Sequence, residues 1–409
     1  MKRVYQKLIN KIVTIITCFV LVFLFLLTLT IIGCATIDQG KDDGIGSISF
    51  SPDGKKLLFT RIKGDLPQMI YIYNMKTGEL IAYKSPVGEM WDYPKYSFDG
   101  KHIVFVTIPL KIQHITGSFF SKKTIELSDL NNNSPITIKD PFKNPSEIYM
   151  DFNNSQITVM DTDGRNVRKI TNTLGSKMDP SFSHSGRKII FALEHDPNIR
   201  GVASTDIYEV DVKTGQQTRL SQFSFLWVSK PYYFPDDKMF IFEGRNFMDY
   251  PGIPGRPTTE YFLKVGKMRE EFHSKYGNNS IYVMQKDEKE LKLYIIMPDY
   301  PEKFPGSSPG DVYSESPSLS ADGSVLIFRA RGYKPDGSGD DEDHLYQYSS
   351  DGNHRSITQI TRYGVATISP DGKLIAIIPA PSYIVIYRIK DGTSKKITLP
   401  DQPSRIINN

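Results

Sequence analysis

Six copies of one turn, period-two apolar runs on either side of it, and copy-to-copy spacings of 46, 51 and 49 residues predict an all-β chain. The expected architecture is a six-bladed β-propeller with four antiparallel strands per blade. The 409 residues are 39% apolar and 12% aromatic, enough to fill a large core, and two cysteines are too few for a disulfide scaffold. Lys2, Arg3, Lys7 and Lys11 account for the whole excess of 50 cations over 46 anions. Without the first 33 residues the formal charge is zero, so no global basic field points to nucleic acid.

Those four cations open the chain, and from Ile12 to Gly33 no charge follows. A run of that length, at about 1.5 Å per residue, can cross a hydrocarbon core of roughly 30 Å. It ends Ile31, Ile32, Gly33, Cys34, with an aliphatic residue at −3 and a small one at −1. This resembles the lipobox of bacterial lipoproteins, and the resemblance implies a signal peptide over 1–33, acylation of Cys34 and a linker over 34–44. An uncleaved anchor is the other reading; both hold a globular domain outside the membrane. Ala35 after Cys34 lacks the Asp that retains many lipoproteins in the inner membrane, which favours the outer membrane or cell surface. Cys18 falls within the signal, so the cleaved protein would hold no free thiol, which disfavours thiol chemistry and Cys-ligated metal.

The repeated turn runs from Phe50 to Phe59 as FSPDGKKLLF and recurs over Tyr96–Phe105, Phe182–Phe191, Phe234–Phe242, Leu319–Phe328 and Ile368–Ile377. In each copy a strand end meets a tight turn where Asp can bond the next backbone and Gly can take φ > 0, then an aliphatic strand follows. Pro94, Pro180, Pro231 and Pro317 precede four of the turns by a fixed interval, where a proline suits the first residue of a strand. Second hairpins follow most copies, beginning at Met69, Ile157, Ile207, Ile281, Leu345 and Ile384. Two hairpins make one blade, and six blades are expected over residues 45–400, with 401–409 as a tail.

Two spacings of 86 residues exceed one blade. Insertions near 109–150 and 245–280 explain them more simply than degenerate blades, since only one extra hairpin, Thr124 to Ile138, is visible. Phe262, Val265, Met268 and Phe272 fall at helical spacing, predicting a short helix in the second insertion. The stretches 301–310 and 335–343 read as exposed loops from their Pro, Gly, Ser and acid content.

The Ser-Pro-Asp-Gly turn, the Ile-Tyr-Val-Met strands and tails such as Arg168-Lys-Ile-Thr171 and Arg355-Ser-Ile-Thr358 resemble the TolB-type propeller family, with its WD40-like repeats, over roughly 45–400. The resemblance implies a propeller that serves as a protein-binding module of the periplasm, or as the non-catalytic part of a peptidase. The lipobox, and the lack of an α/β segment before the first repeat, depart from TolB itself.

Motifs for chemistry are weak. Ser308 in a G-x-S-x-G pattern lies among prolines rather than on a strand-to-helix elbow. Asp161, Asp163 and Gly164 begin like a calcium loop, but Asn172 stands where a bidentate Glu is needed. Asp340, Asp341, Glu342 and Asp343 beside His344 read as a solvated acid run, and the seven histidines show no metal-ligand spacing.

Propellers bind at the mouth of the central channel, where the innermost strands begin. The positions seven or eight residues before the turn glycines are therefore candidate ligand-binding residues: Asp92, Tyr93, Asp179, Lys230 and Glu315, with Trp91 and Trp227 beside them. Packing of the tryptophans between blades and capping of strand ends by the carboxylates is the competing reading. The expected function is a non-catalytic, membrane-anchored envelope lipoprotein that binds a protein, peptide or glycan, without nucleic acid, metal or cofactor. The alternative is a metal-dependent lyase or cyclase with a site assembled across blades.

Overall fold

The computed structural model describes residues 44–62, 69–115, 122–126, 146–195, 204–221, 225–247, 279–286, 291–293, 314–333, 339–349, 354–360, 365–380 and 383–408. Residues 43–409 form one compact unit, apart from the N-terminal 42 residues. Cys34 and the expected helix around Phe262 lie outside the described residues.

Six blades follow one another along the chain, each four strands paired antiparallel in sequence order. Their innermost strands are Gly44–Phe50, Glu89–Tyr96, Ser176–Phe182, Phe225–Tyr233, Ser314–Leu319 and Val365–Ile368. The repeated turn leads from each innermost strand to the second. Ser51 Oγ donates to Asp53 Oδ1 at 2.6 Å, Asp53 accepts the Lys55 N–H, and Gly54 takes φ 68°. The Ser51 hydroxyl above all, helped by the Lys55 N–H and ammonium, holds the Asp53 carboxyl below its usual range against the opposing effect of burial. In blade 4 Asp237 occupies the glycine position with φ 56°.

Period-two alternation explains why the middle strands read as nearly continuous apolar runs. Leu57 and Phe59 face blade 6, whereas Leu58, between them, faces blade 2. Likewise Ile103 and Phe105 pack toward blade 1, and Val104 and Val106 toward blade 3. Six apolar clusters result, one at each junction between successive blades, including the junction of blade 6 with blade 1. Blades 6 and 1 therefore meet by side-chain packing, as the other neighbouring blades do.

The segment expected as a tail instead carries a strand, Arg405–Asn408, which adds in parallel to the outer strand Leu80–Lys84 of blade 1. The first long spacing holds an insertion. The second strand of blade 2, His102–Ile115, outruns its blade and pairs beyond it with Lys122–Glu126 and Ser146–Met150. Thr124 thus pairs with Gln113 rather than within a hairpin of its own, and residues 127–138 lie outside the described residues. Part of the expected loop at 335–343 is also a strand: Gly339–Ser349 pairs with Val325–Tyr333, including Asp343 with Arg331. There the backbone ladder of a long neighbouring strand overrides the low strand preference of the acidic run.

Candidate functional site at the axial cavity

The four prolines sit inside the innermost strands, not at their first residues as the sequence suggested. At each one the ladder to the second strand skips, between Asp92 and Lys95, Met178 and Ser181, Ser229 and Tyr232, and Glu315 and Ser318. The residue before each proline is left-handed: Tyr93 (φ 54°), Asp179 (φ 50°), Lys230 (φ 49°) and Ser316 (φ 57°). At these prolines the innermost strand has a ladder partner on one side alone, so the missing N–H costs no ladder bond. Each bulge turns the strand and re-aims its side chains toward the axis. A left-handed non-glycine residue costs about 1–2 kcal/mol, and four in a row at one level of the ring mark a site whose geometry the fold enforces.

Carboxylates hold three of these bulges. The Tyr93 N–H donates to Asp92 Oδ1 at 2.7 Å, the Lys230 N–H to Asp179 Oδ2 at 3.1 Å, and the Ser316 N–H to Glu243 Oε2 at 2.8 Å. Two of the three bonds cross from one blade to the next. Asp92 also accepts from Ser47 of blade 1 at 3.3 Å, and Glu243 accepts from Ser229 and, at 2.7 Å, from Arg245 Nε.

Around the bulges lies a cavity of about 470 Å³, walled by all blades. Asp92, Tyr93, Asp179, Trp227 and Lys230 line it, so five of the seven sequence candidates come together there. Trp91 does not: it is fully buried between blades 1 and 2, its ring 4.6 Å from that of Phe105 and its Nε1–H donating to Glu89 Oε2. Glu315 lies one position before Ser316, the blade 5 residue that takes the left-handed conformation and lines the cavity. Sequence reasoning missed Lys95, Tyr232, Glu243, Arg245 and Arg329, which also line it. Lys95 and Tyr232 each directly follow a repeat proline, and that register was the available signal.

Lys95 reaches across the axis from blade 2 to blade 4, where its ammonium stands 4.0 Å from the Tyr232 ring centroid. Burial lowers its pKa to about 8, against an opposing pull from Asp179. Burial also pushes the Tyr232 phenol up to about 12 and the Tyr93 phenol far above its usual range, so both stay neutral donors.

At the other end of the axis the second residues of the repeated turns meet. His184 of blade 3 stacks on Phe98 of blade 2 at 3.6 Å, and its Nε2 lies 2.8 Å from the carbonyl oxygen of Ala321 in blade 5. That contact assigns the proton to Nε2, since a carbonyl can only accept. The Ala321 N–H in turn donates to the Pro370 carbonyl of blade 6 at 3.0 Å, and Asp237 of blade 4 accepts the His184 N–H. Among the described residues these turns meet across this end of the axis, and the cavity opens toward the opposite rim.

These features define a six-bladed β-propeller with an axial cavity. Among solved structures, TolB from Acinetobacter baumannii is 15% identical, with 89% of this chain and 64% of that chain covered at a TM-score of 0.50. An oligogalacturonate lyase in complex with manganese is 12% identical, with 88% of this chain and 78% of that chain covered, also at 0.50. Likeness at such identities shows the fold alone. No family model and no curated protein matches the sequence. Among the described residues no cluster of three His, Cys, Asp or Glu side chains is placed to hold a metal ion.

Proposed function

We propose that the chain is a lipid-anchored lipoprotein of the bacterial cell envelope whose propeller binds a partner at the open mouth of the axial cavity without transforming it. The observation that carries this reading is the use made of the cavity's carboxylates. Asp92, Asp179 and Glu243 accept the N–H groups of the strained bulges, so they serve as a rigid frame rather than as free proton acceptors. Aromatic side chains beside charges, Trp227 and Tyr93 above all, supply the low-entropy contact area typical of recognition surfaces. Acylation at Cys34 would contribute about 0.8 kcal/mol per buried CH₂ and fix the domain to a membrane.

Two experiments test the reading. Cells fed a palmitate analogue should label the wild-type chain and not Cys34→Ser; an unlabelled wild type removes the anchor. Crosslinking in intact cells followed by purification should recover a partner, less of it with Trp227→Ala. The lyase alternative would be favoured by a stoichiometric divalent ion in the purified protein together with cleavage of a uronide polymer.

A further inference from the structure

Lys95 is unlike the other charged groups of the cavity. Its ammonium nitrogen is sealed from solvent and has no hydrogen-bond acceptor among the described residues, although it lines the cavity. The carboxylates around it are engaged: Asp92 by Ser47 and the Tyr93 N–H, Asp179 by the Lys230 N–H, and Glu243 by Ser229, the Ser316 N–H and Arg245. A face-on contact with Tyr232 offsets part of the desolvation of a buried ammonium but offers no lone-pair acceptor to its three N–H donors. Lys95 lies two residues past Tyr93, on the closed side of the bulge, so it forms the floor of the cavity rather than its rim.

We infer that the floor of the cavity takes the C-terminal carboxylate of a polypeptide partner, received by Lys95. This rests on the mouth being the binding surface. A cavity closed at its base admits a chain end, not a chain passing through. Among the described residues four cations line the cavity, Lys95, Lys230, Arg245 and Arg329, against three carboxylates, Asp92, Asp179 and Glu243; the excess of one matches a single carboxylate rather than a polymer charged at every unit. Above Lys95 the walls are Tyr93, Pro94, Trp227 and Tyr232, which suit neutral and apolar residues of a peptide end.

The test uses the full chain in detergent. A pool of N-acetylated tripeptides built from Ala, Leu and Phe is offered once as free acids and once as carboxamides, with digalacturonate as a separate probe, and retention is read by equilibrium dialysis and mass spectrometry. The wild type should retain the acids about tenfold better than the amides, and Lys95→Met should retain both alike. Equal retention of acids and amides by the wild type, retention of neither, or an acid preference that survives Lys95→Met would overturn the inference. Lys95-dependent retention of digalacturonate but not peptides would overturn the polypeptide assignment. Should Lys95→Met fail to fold, the acid-to-amide ratio of the wild type still decides. A partner recovered by crosslinking beside a failed acid preference sinks this inference and leaves the binding reading standing; no partner and no retention sinks both.

Discussion

Single residues carry polar tasks that apolar packing cannot. Lys177, at the start of blade 3, is fully buried, and its ammonium donates to the carbonyls of Ser155, Thr173 and Gly175 at 2.9, 2.6 and 3.0 Å. It satisfies the backbone where blade 2 hands the chain to blade 3. Lys177→Met would leave those carbonyls without that donor and should destabilise the fold by about 2–4 kcal/mol, read as a urea midpoint. Burial lowers the Lys177 pKa to about 8 from 10.5. Between those values the unfolded chain binds more protons, so this lysine's contribution to stability rises with pH across that window and is flat below it. The difference between wild-type and Lys177→Met stability should follow that course; a difference independent of pH would contradict it. Lys230 shows the opposite economy. Its left-handed φ of 49° is strained, so Lys230→Gly should gain about 0.5–1 kcal/mol of stability while weakening partner recovery. Loss of stability would show that the side chain, not the backbone, matters most there.

At the scale of elements, strands are held by neighbours that sequence separation hides. The strand Arg405–Asn408 lies along Leu80–Lys84, and Ile407 reaches the junction of blades 1 and 2. Gly164, in an outer turn of blade 2, sits beneath both: a Cβ there would come within 2.8 Å of the Tyr83 ring and 3.0 Å of Ile407, at a φ of +88°. Gly164→Ala should therefore cost about 1–3 kcal/mol and lower the melting temperature, whereas Gly54→Ala, with open space around it, should cost the backbone strain alone. Equal costs at the two sites would contradict this close packing. The turns, the middle strands and the six-fold count were legible because Asp, Gly and an aliphatic run report local geometry directly. The bulges were not, since nothing in Tyr93-Pro94 or Lys230-Pro231 announces a positive φ that pre-proline sterics ordinarily disfavour. The last strand was hidden too, because its partner lies more than 300 residues earlier and four residues carry little pattern of their own.

For the whole molecule, one sequence device serves two ends. The second residue of each repeated turn, proline in three copies, shapes the turn locally, and together with Phe98 and His184 these residues close the axis. The candidate site was half legible for the same reason: the register of the repeat located Asp92, Tyr93, Asp179 and Lys230, while Glu243, Arg245 and Arg329 reach the axis from second strands, where no repeat residue marks them. A photo-crosslinking amino acid placed in intact cells at Trp227, on the open mouth, and separately at Pro52, on the closed end, tests this asymmetry most directly. A cavity with one binding face predicts a discrete crosslinked partner from position 227 and none from position 52. Equal capture at both positions, or capture from 52 alone, would contradict it.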